Sequence, residues 1–344
     1  MKHNSTISNL SNLSVLSRLI LVIICISISG FSTTLSFKQQ QESSVIKLET
    51  TLVQVPVIVS DVGGRYITDL QRGDFKIFEN EKEQGIQLFR TIDEPFNVAL
   101  LIDSSGSTLD QLSQIKSAAI AFVDNLRNHD HVMVVNFNDS VKVMCGLTND
   151  RGTLHGAIIN IEGGEYTQVY EAIYTTIWEK LRHSQGRKAA ILFSDGIDTA
   201  SSEISEEDTL NAVAATAGEG IIVYTIRYNT RPDVERKLYA QERLLANDLS
   251  GTSWRERRRK LDRVYRKADE YIQELAEISG GVVKQADTLV DLEASFAEIA
   301  EELRHQYLLG YYSANKDIAG KQRRVVVRVS RSNSEVKVRA KSWF

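Results

Sequence analysis

A carboxylate and two hydroxyls alternate in the segment Asp103-Ser104-Ser105-Gly106-Ser107. This segment directly follows the apolar run 98–102, which is typical of a buried parallel strand. Oxygen atoms of this kind are the ligands that Mg²⁺ prefers, and a single carboxylate leaves much of the ion's charge unneutralised. Such an ion can still accept an acidic ligand from another molecule. The segment therefore indicates a binding site, although Asp and Ser are also the residues that commonly cap a helix.

Two further oxygen-bearing residues are predicted to lie near this segment. Asp195 follows a second apolar run, and Thr167 ends a glycine-bearing loop just before a helical pattern. The carboxyl ends of parallel strands meet at one edge of a sheet, where ligands bind in this class of fold. We therefore expect Asp103, Thr167 and Asp195 to lie close together at that edge.

The region from 96 to 303 alternates apolar runs with helical patterns, which is typical of a parallel sheet covered on both faces. We predict a doubly wound, mostly parallel α/β domain, with two amphipathic helices over 112–126 and 169–181. A charged insertion is expected over 232–268. The strands of the domain are predicted at 98–102, 132–137, 189–193 and 221–226.

A long helix is predicted to begin within the insertion. Ser253 and Glu256 have the spacing of a capping box, which places the start of this helix at Trp254 and its end at Ser279. A closing helix is expected over 289–303.

Two β-patterned segments flank the α/β domain, at 45–94 and 305–344. Each is thin for an independent hydrophobic core. We expect the two segments to pair into one sandwich-like region, with the α/β domain inserted between them.

Residues 1–31 are interpreted as a secretory signal peptide, because basic residues precede the apolar run 19–26 and small residues follow it. An uncleaved N-terminal anchor is the alternative, since the apolar stretch extends back to Leu13. Residues 32–44 are rich in Ser, Thr and Gln and are predicted to be a tether. We therefore expect a secreted or envelope-attached protein, either periplasmic or otherwise extracytoplasmic.

The composition sets broad limits on function. The chain has 344 residues, 42% hydrophobic and 25% charged, as in folded globular proteins. The net charge of -4 argues against bulk attraction to nucleic acid. Cys25 and Cys145 are the two cysteines, so removal of a signal peptide would leave no intrachain disulfide. Cys145 is predicted to be a buried, inert thiol.

The five residues Asp103, Ser105, Ser107, Thr167 and Asp195 together resemble the metal-ion-dependent adhesion site of von Willebrand factor A (VWA) domains. The resemblance spans about residues 96–303. It implies that Ser105, Ser107 and Thr167 bind a divalent ion directly, while the two aspartates act mainly through water. The implied ion is Mg²⁺, with Mn²⁺ or Ca²⁺ as alternatives, and its open position would accept a carboxylate from a protein partner.

The flanking segments resemble the VWFA-related proteins of bacteria, on the pattern of 57–79, on 303–312 and on the basic β tail. Two features depart from the family pattern. Gln168 follows the threonine where a smaller residue is common, and the insertion at 232–268 is unusually long. Neither departure removes a ligand.

The function expected from these residues is that of a binding or adhesion module that engages an acidic group of a protein partner through the metal. A metal-independent structural or assembly protein of the cell envelope is the alternative. Catalysis is not expected, because the sequence has no Gly-x-Ser-x-Gly elbow and no histidine placed to act as a base near Ser105. The sequence leaves the oligomeric state open.

Two other charged features of the sequence have both a functional and a purely structural interpretation. Asp198 lies close to Asp195 but is expected to cap a loop. The basic stretch 255–267 is interpreted first as a solvated helix face, with docking of anionic lipid, polysaccharide or a partner as the alternative.

Overall fold

The computed structural model describes residues 52–91, 93–216, 218–245, 251–313, 323–330 and 336–340. The predicted signal peptide or anchor at 1–31 and the tether at 32–44 lie outside this part of the chain. Across the described residues, the helices are too short or too polar to span a lipid bilayer.

Strands and helices are numbered here in chain order. The strands are β1 (Leu52–Asp61), β2 (Phe75–Glu79), β3 (Lys82–Gln84), β4 (Ile86–Arg90), β5 (Phe96–Asp103), β6 (His131–Phe137), β7 (Val141–Thr148), β8 (Arg187–Ser194), β9 (Ile221–Tyr228), β10 (Val283–Ala286), β11 (Gln306–Tyr312), β12 (Val325–Val329) and β13 (Val336–Ala340). The α-helices are α1 (Leu112–Asn125), α2 (Arg151–Ile159), α3 (Val169–Tyr174), α4 (Glu206–Ala215), α5 (Arg231–Leu245), α6 (Gly251–Ser279) and α7 (Leu289–Arg304). A π-helical turn, Thr175–Lys180, continues α3, and single 3₁₀ turns lie at Arg72–Asp74, Leu109–Gln111 and Leu181–His183.

The central sheet has the strand order β10-β9-β8-β5-β6-β7. Every neighbouring pair is parallel except β6 and β7, which are antiparallel. Helices cover both faces, so the predicted mostly parallel α/β class is confirmed. The strands are apolar along their whole length because alternate residues face two different cores: Val98 and Leu100 pack on one side, and Ala99 and Leu101 on the other.

Each face of the sheet has its own set of helices. On one face α1, α2 and α7 pack together, with the rings of Phe122 and Phe296 5.4 Å apart. On the other face α3 packs with the C-terminal half of α6, which buries Tyr271, Ile272 and Leu275. The long predicted helix therefore has an apolar half that belongs to the core of the domain.

The register of the sheet places the predicted site at one edge. Ile102 lies opposite Phe193 in the β5–β8 pair, so Asp103 and Asp195 follow at the carboxyl ends of adjacent strands. The same edge receives the loop before α3, which carries Thr167.

Strands from the two sequence flanks hydrogen-bond to each other. β1 pairs with β11 and β13, and β12 pairs with β2, all antiparallel. Their inward side chains share one core, in which Val55 and Val57 meet Tyr307 and Leu309. Independent folding of this region, apart from the central domain, stays a prediction.

Two local predictions need correction. Helix α6 begins at Gly251, so Ser253 lies inside it and does not cap it at Trp254. A capping box contributes only about 1 kcal/mol and does not by itself stop a helix from extending further back. Cys145 is only partly buried, because its strand β7 lies at the edge of the sheet, and this partial burial raises the pKa of its thiol.

Candidate metal centre

Asp103 ends β5 and is completely buried. Its Oδ1 accepts a hydrogen bond from the Ser105 main-chain N–H at 3.0 Å, and its Oδ2 accepts one from the Ser194 hydroxyl at 2.6 Å. The first helical turn after the strand starts only at Leu109, with Thr108 at its N-cap position. Asp103 therefore does not act as a helix cap, which was the alternative left open by the sequence.

The serine hydroxyls connect this aspartate to the second one. The Oγ atoms of Ser105 and Ser107 are 3.2 Å apart, and the Ser107 hydroxyl donates to Asp195 Oδ2 at 3.0 Å. Asp195 also accepts hydrogen bonds from the Thr230 hydroxyl at 2.6 Å and from the Ile197 N–H at 3.1 Å. Four of the five predicted residues thus form one continuous network.

The loop that carries Thr167 packs against the segment that follows β5. The Gly164 N–H donates to the Ser104 carbonyl at 2.9 Å, and the Gly106 N–H donates to the Glu165 carbonyl at 3.4 Å. The approach at Gly164 requires glycine, because a Cβ there would lie 2.7 Å from Asn138. These contacts bring the Thr167 loop against the segment that carries Ser105 and Ser107.

The main chain of Thr167 also binds the loop that follows Asp195. Its N–H donates to the Thr199 hydroxyl at 2.8 Å, and its carbonyl accepts from the N–H groups of Thr199 and Ala200 at 3.0 Å each. The residue is 5% exposed. The structure therefore brings together the three loops that carry all five predicted residues.

The electrostatics of the two aspartates are unfavourable without a cation. Burial and, next, the charge of Asp195 raise the pKa of Asp103 to about 7, against the opposing hydrogen bonds from serine. Burial likewise raises the pKa of Asp195, although the hydrogen bonds from Thr230, Ile197 and Ser107 and, last, the charge of Arg227 oppose the shift. All of the hydrogen-bond donors are neutral hydroxyl or amide groups, and Arg227 itself pairs with Asp269. Burying an ionised carboxylate with so little compensating charge is costly, so the site favours either a proton or a metal cation.

The donor set fits a hard divalent cation. It consists of three hydroxyl oxygens and two carboxylates, and hard cations such as Mg²⁺ keep several water ligands beside such groups. Among the described residues, no group of three or more His, Cys, Asp or Glu side chains is placed to hold a metal. Binding at this edge would therefore depend on the hydroxyls of Ser105, Ser107 and Thr167.

Sequence reasoning missed three residues of the site. Ser194 precedes Asp195 and donates to Asp103, and Thr230 lies two residues beyond β9 and donates to Asp195. The hydroxyl of Tyr265, on α6, lies 2.8 Å from that of Thr230. Ser194 and Thr230 lie at or just after the carboxyl end of a strand, which is the feature that identified the aspartates. Nothing in the local sequence marks Tyr265.

Asp198 caps a loop, as predicted. Its carboxylate accepts hydrogen bonds from the Tyr170 N–H at 3.1 Å and from the Ser201 N–H and hydroxyl at 2.9 and 2.6 Å. These bonds join the start of α3 to the loop after Asp195. The residue therefore supports the site without being part of the hydroxyl network.

Residues 97–244 match the family model of the von Willebrand factor type A domain. These residues form a VWA domain. The match contains all five predicted site residues and the central strands β5 to β9 of the sheet, whereas β10 follows the matched residues.

Several solved structures resemble the chain, each at low identity. The vWF domain of the type V pili tip protein Mfa5 from Porphyromonas gingivalis is 12% identical with a TM-score of 0.45, over 60% of this chain and 94% of that one. A von Willebrand factor type A protein from Catenulispora acidiphila is 12% identical with a TM-score of 0.46, over 79% and 75%.

A third structure is proximal thread matrix protein 1 from the mussel byssus with a zinc-occupied MIDAS motif. It is 13% identical with a TM-score of 0.45, over 65% of this chain and 49% of that chain. No curated protein matches the sequence.

Proposed function

We propose that this protein is a binding module whose VWA domain engages an acidic group of a protein partner through a divalent cation. Ser105, Ser107 and Thr167 would hold the ion directly, with Asp103 and Asp195 acting through water. The observation that carries this proposal is the pair of buried carboxylates joined through serine hydroxyls and bonded only to neutral donors. A cation at this position would offset the charge that the fold has buried.

The neutral charge of the proposed direct ligands supports a site that keeps one coordination position of the ion for a partner. Neutral hydroxyls in direct contact do not reduce the charge of the cation, which when bound would supply a Lewis acid for an external carboxylate. The favoured ion is Mg²⁺, with Mn²⁺ and Ca²⁺ as alternatives, because hard oxygen ligands suit these ions. The chain itself fixes the hydroxyls: Gly106 and Gly164 let the two loops approach, and Thr230 orients Asp195.

A binding role is favoured over catalysis by the contacts of the serine. The Ser105 hydroxyl lies beside that of Ser107, which in turn donates to a carboxylate. A nucleophilic serine needs a base within hydrogen-bond distance of its hydroxyl to remove the proton. We also propose a secreted or envelope location, which the signal-like sequence of residues 1–31 supports.

The proposal is tested by denaturing the full chain in chelator and in excess Mg²⁺ or Mn²⁺. A ligand at 100 times its Kd stabilises the folded state by about 3 kcal/mol, so the wild type should show a clear gain. The double variant Ser105→Ala/Ser107→Ala should lose this gain. The matched control Ser113→Ala/Ser117→Ala, which alters two exposed serines of α1, should retain it.

A peptide with one glutamate, compared with its glutamine counterpart, tests the partner chemistry. The glutamate peptide should bind the wild type only when the metal is present. A wild-type protein that gains no stability from any of these ions would instead favour the metal-independent structural role.

A further inference from the structure

The first half of α6 carries an unusual concentration of positive charge. Residues 255–267 contain eight basic and two acidic side chains, for a net charge of +6 in a chain whose total is -4. All eight basic residues of this segment are exposed. We call the segment 255–267 the basic segment of α6.

Internal ion pairs do not account for this charge. Lys267 pairs with Glu206 at 2.8 Å, and Arg266 lies 3.9 Å from Glu270. Within the described parts of the chain, five cations of the segment form no ion pair; these are Arg255, Arg258, Arg259, Lys260 and Arg263.

Three of these cations have a spacing that differs from that of an ordinary solvated helix, whereas Arg258 and Lys260 lie four residues from an acidic residue. Arg255, Arg259 and Arg263 follow one another at intervals of four residues, which places like charges next to each other on one face. Like charges at this spacing destabilise a helix, whereas alternating Glu and Lys stabilise it. An anionic ligand along this face would remove the repulsion.

The basic segment leads directly into the candidate metal centre. Tyr265 hydrogen-bonds to Thr230, which donates to Asp195, and Gly196 lies against the side chain of Ile272 further along α6. The helix rises 1.5 Å per residue, so the main chain at Arg259 is about 9 Å from Tyr265 along the axis, and that at Arg255 about 15 Å. The arginine side chains lie on the exposed side of the helix, so a partner segment must pass over that side to contact both them and the metal. An extended chain covers about 3.3 Å per residue, so about eight residues span this axial distance together with the roughly 10 Å width of the helix.

The buried face of α6 argues for a protein ligand over a membrane. Binding of an amphipathic helix to lipid uses its apolar face, but Tyr265, Ala268 and Ile272 are buried in the domain. On a helix of 3.6 residues per turn, Arg255, Arg259 and Arg263 lie on the side away from these residues. The surface that remains accessible offers charge and no continuous apolar stripe.

We propose that the basic segment of α6 is a second contact surface for the carboxylate-bearing partner, and that it selects a partner segment with several acidic residues next to the metal-bound one. This inference rests on the proposed function. It adds that the partner is an acidic stretch of protein, not an isolated glutamate or aspartate. The basic segment, which follows the residues that match the family model, thereby provides specificity at the edge that binds the ion.

The test compares two labelled peptides in excess Mg²⁺, one with a single glutamate among serines and one of consecutive glutamates. The full-length wild type should bind the polyglutamate peptide about tenfold or more tightly, and high salt should remove the difference. Arg259→Glu/Arg263→Glu should abolish this preference, and Arg259→Gln/Arg263→Gln should reduce it. The control Lys82→Glu/Lys180→Glu has the same change in net charge at exposed sites away from the metal centre and should keep the preference.

The outcomes separate this inference from the proposed function. The α6 variants should retain the stabilisation by Mg²⁺ and the binding of the single-glutamate peptide. Equal affinity of the wild type for both peptides would overturn the inference and leave the metal site intact. A preference that survives in both α6 variants would also overturn it. Binding of the protein to vesicles that contain phosphatidylserine would also overturn the inference, if that binding depends on Arg259 and Arg263 while peptide binding does not.

Discussion

Replacement of Asp103 by asparagine should make the metal-free protein more stable and abolish its response to Mg²⁺. The side chain is fully buried, and its ionised form lies near a second carboxylate with neutral hydrogen-bond donors. Asparagine has the same shape but no charge. The substitution therefore removes the charge that the fold buries and, with it, the main attraction for a cation.

The size of the effect follows from the raised pKa. A shift from 3.8 to about 7 corresponds to about 4 kcal/mol of destabilisation by the ionised group at neutral pH. Asparagine keeps an oxygen to accept from the Ser105 N–H, but its amide disturbs the hydrogen bond from Ser194, at a cost of about 1–3 kcal/mol. The net gain in the free energy of unfolding should be about 2 kcal/mol.

Urea denaturation at neutral pH, in chelator and in excess Mg²⁺, measures both effects. Asp130→Asn is the matched control, because Asp130 is also buried but accepts main-chain hydrogen bonds from Phe96 and Arg127 and lies near the cation of Arg187. The control should lose stability in chelator and keep its response to Mg²⁺. An Asp103→Asn protein that is less stable than the wild type in chelator would refute the reasoning about the buried charge.

Three further predictions concern pH, the backbone and the junction with the β flanks. Because the folded-state pKa of Asp103 lies above its unfolded value, its contribution to stability is present below about pH 4 and is lost as the pH rises toward about 7. The advantage of Asp103→Asn in chelator should therefore grow over this interval, and an advantage that is constant with pH would contradict the assignment. Gly196→Ala should destabilise the protein by about 1–3 kcal/mol, because φ at this residue is 78° and a Cβ would lie 2.4 Å from a side chain of α6. The control Gly146→Ala, on the edge strand β7 where a Cβ meets no neighbour, should be nearly neutral. Equal losses of stability in thermal denaturation would contradict this prediction. Arg187→Met should lower the free energy of unfolding by about 3 kcal/mol or more, because this buried side chain donates hydrogen bonds to the carbonyls of Glu94 and Gln306. Unchanged stability in urea denaturation would show that these bonds contribute nothing.

Much of the fold was predictable because the sheet is buried on both faces. Such strands are continuous apolar runs, and their order along the chain with intervening helices restricts the topology. Asp103 directly follows one of these runs and Asp195 lies two residues after another, so their positions at the ends of strands identified them. The edge position of β7 was not predictable, because the apolar run containing Cys145 looks the same whether or not a further strand covers it.

The remaining parts of the site depend on contacts distant in sequence. Tyr265 reaches Thr230 only because α6 packs its apolar half across the sheet, and the local sequence of α6 does not show where along the sheet it lies. The predicted start of α6 was wrong for a related reason. A capping signature describes two local hydrogen bonds, whereas the extent of a helix depends on the residues on both sides of the signature.

The central claim is that a metal held at this edge shares its coordination with a carboxylate of another molecule. Electron–nuclear double resonance tests this directly on the Mn²⁺-loaded full chain, with a glutamate peptide labelled with ¹³C at the side-chain carboxylate. We expect a ¹³C hyperfine coupling to the bound Mn²⁺ that is absent with Ser105→Ala/Ser107→Ala. A bound Mn²⁺ whose spectrum does not change when the peptide binds would contradict a shared coordination.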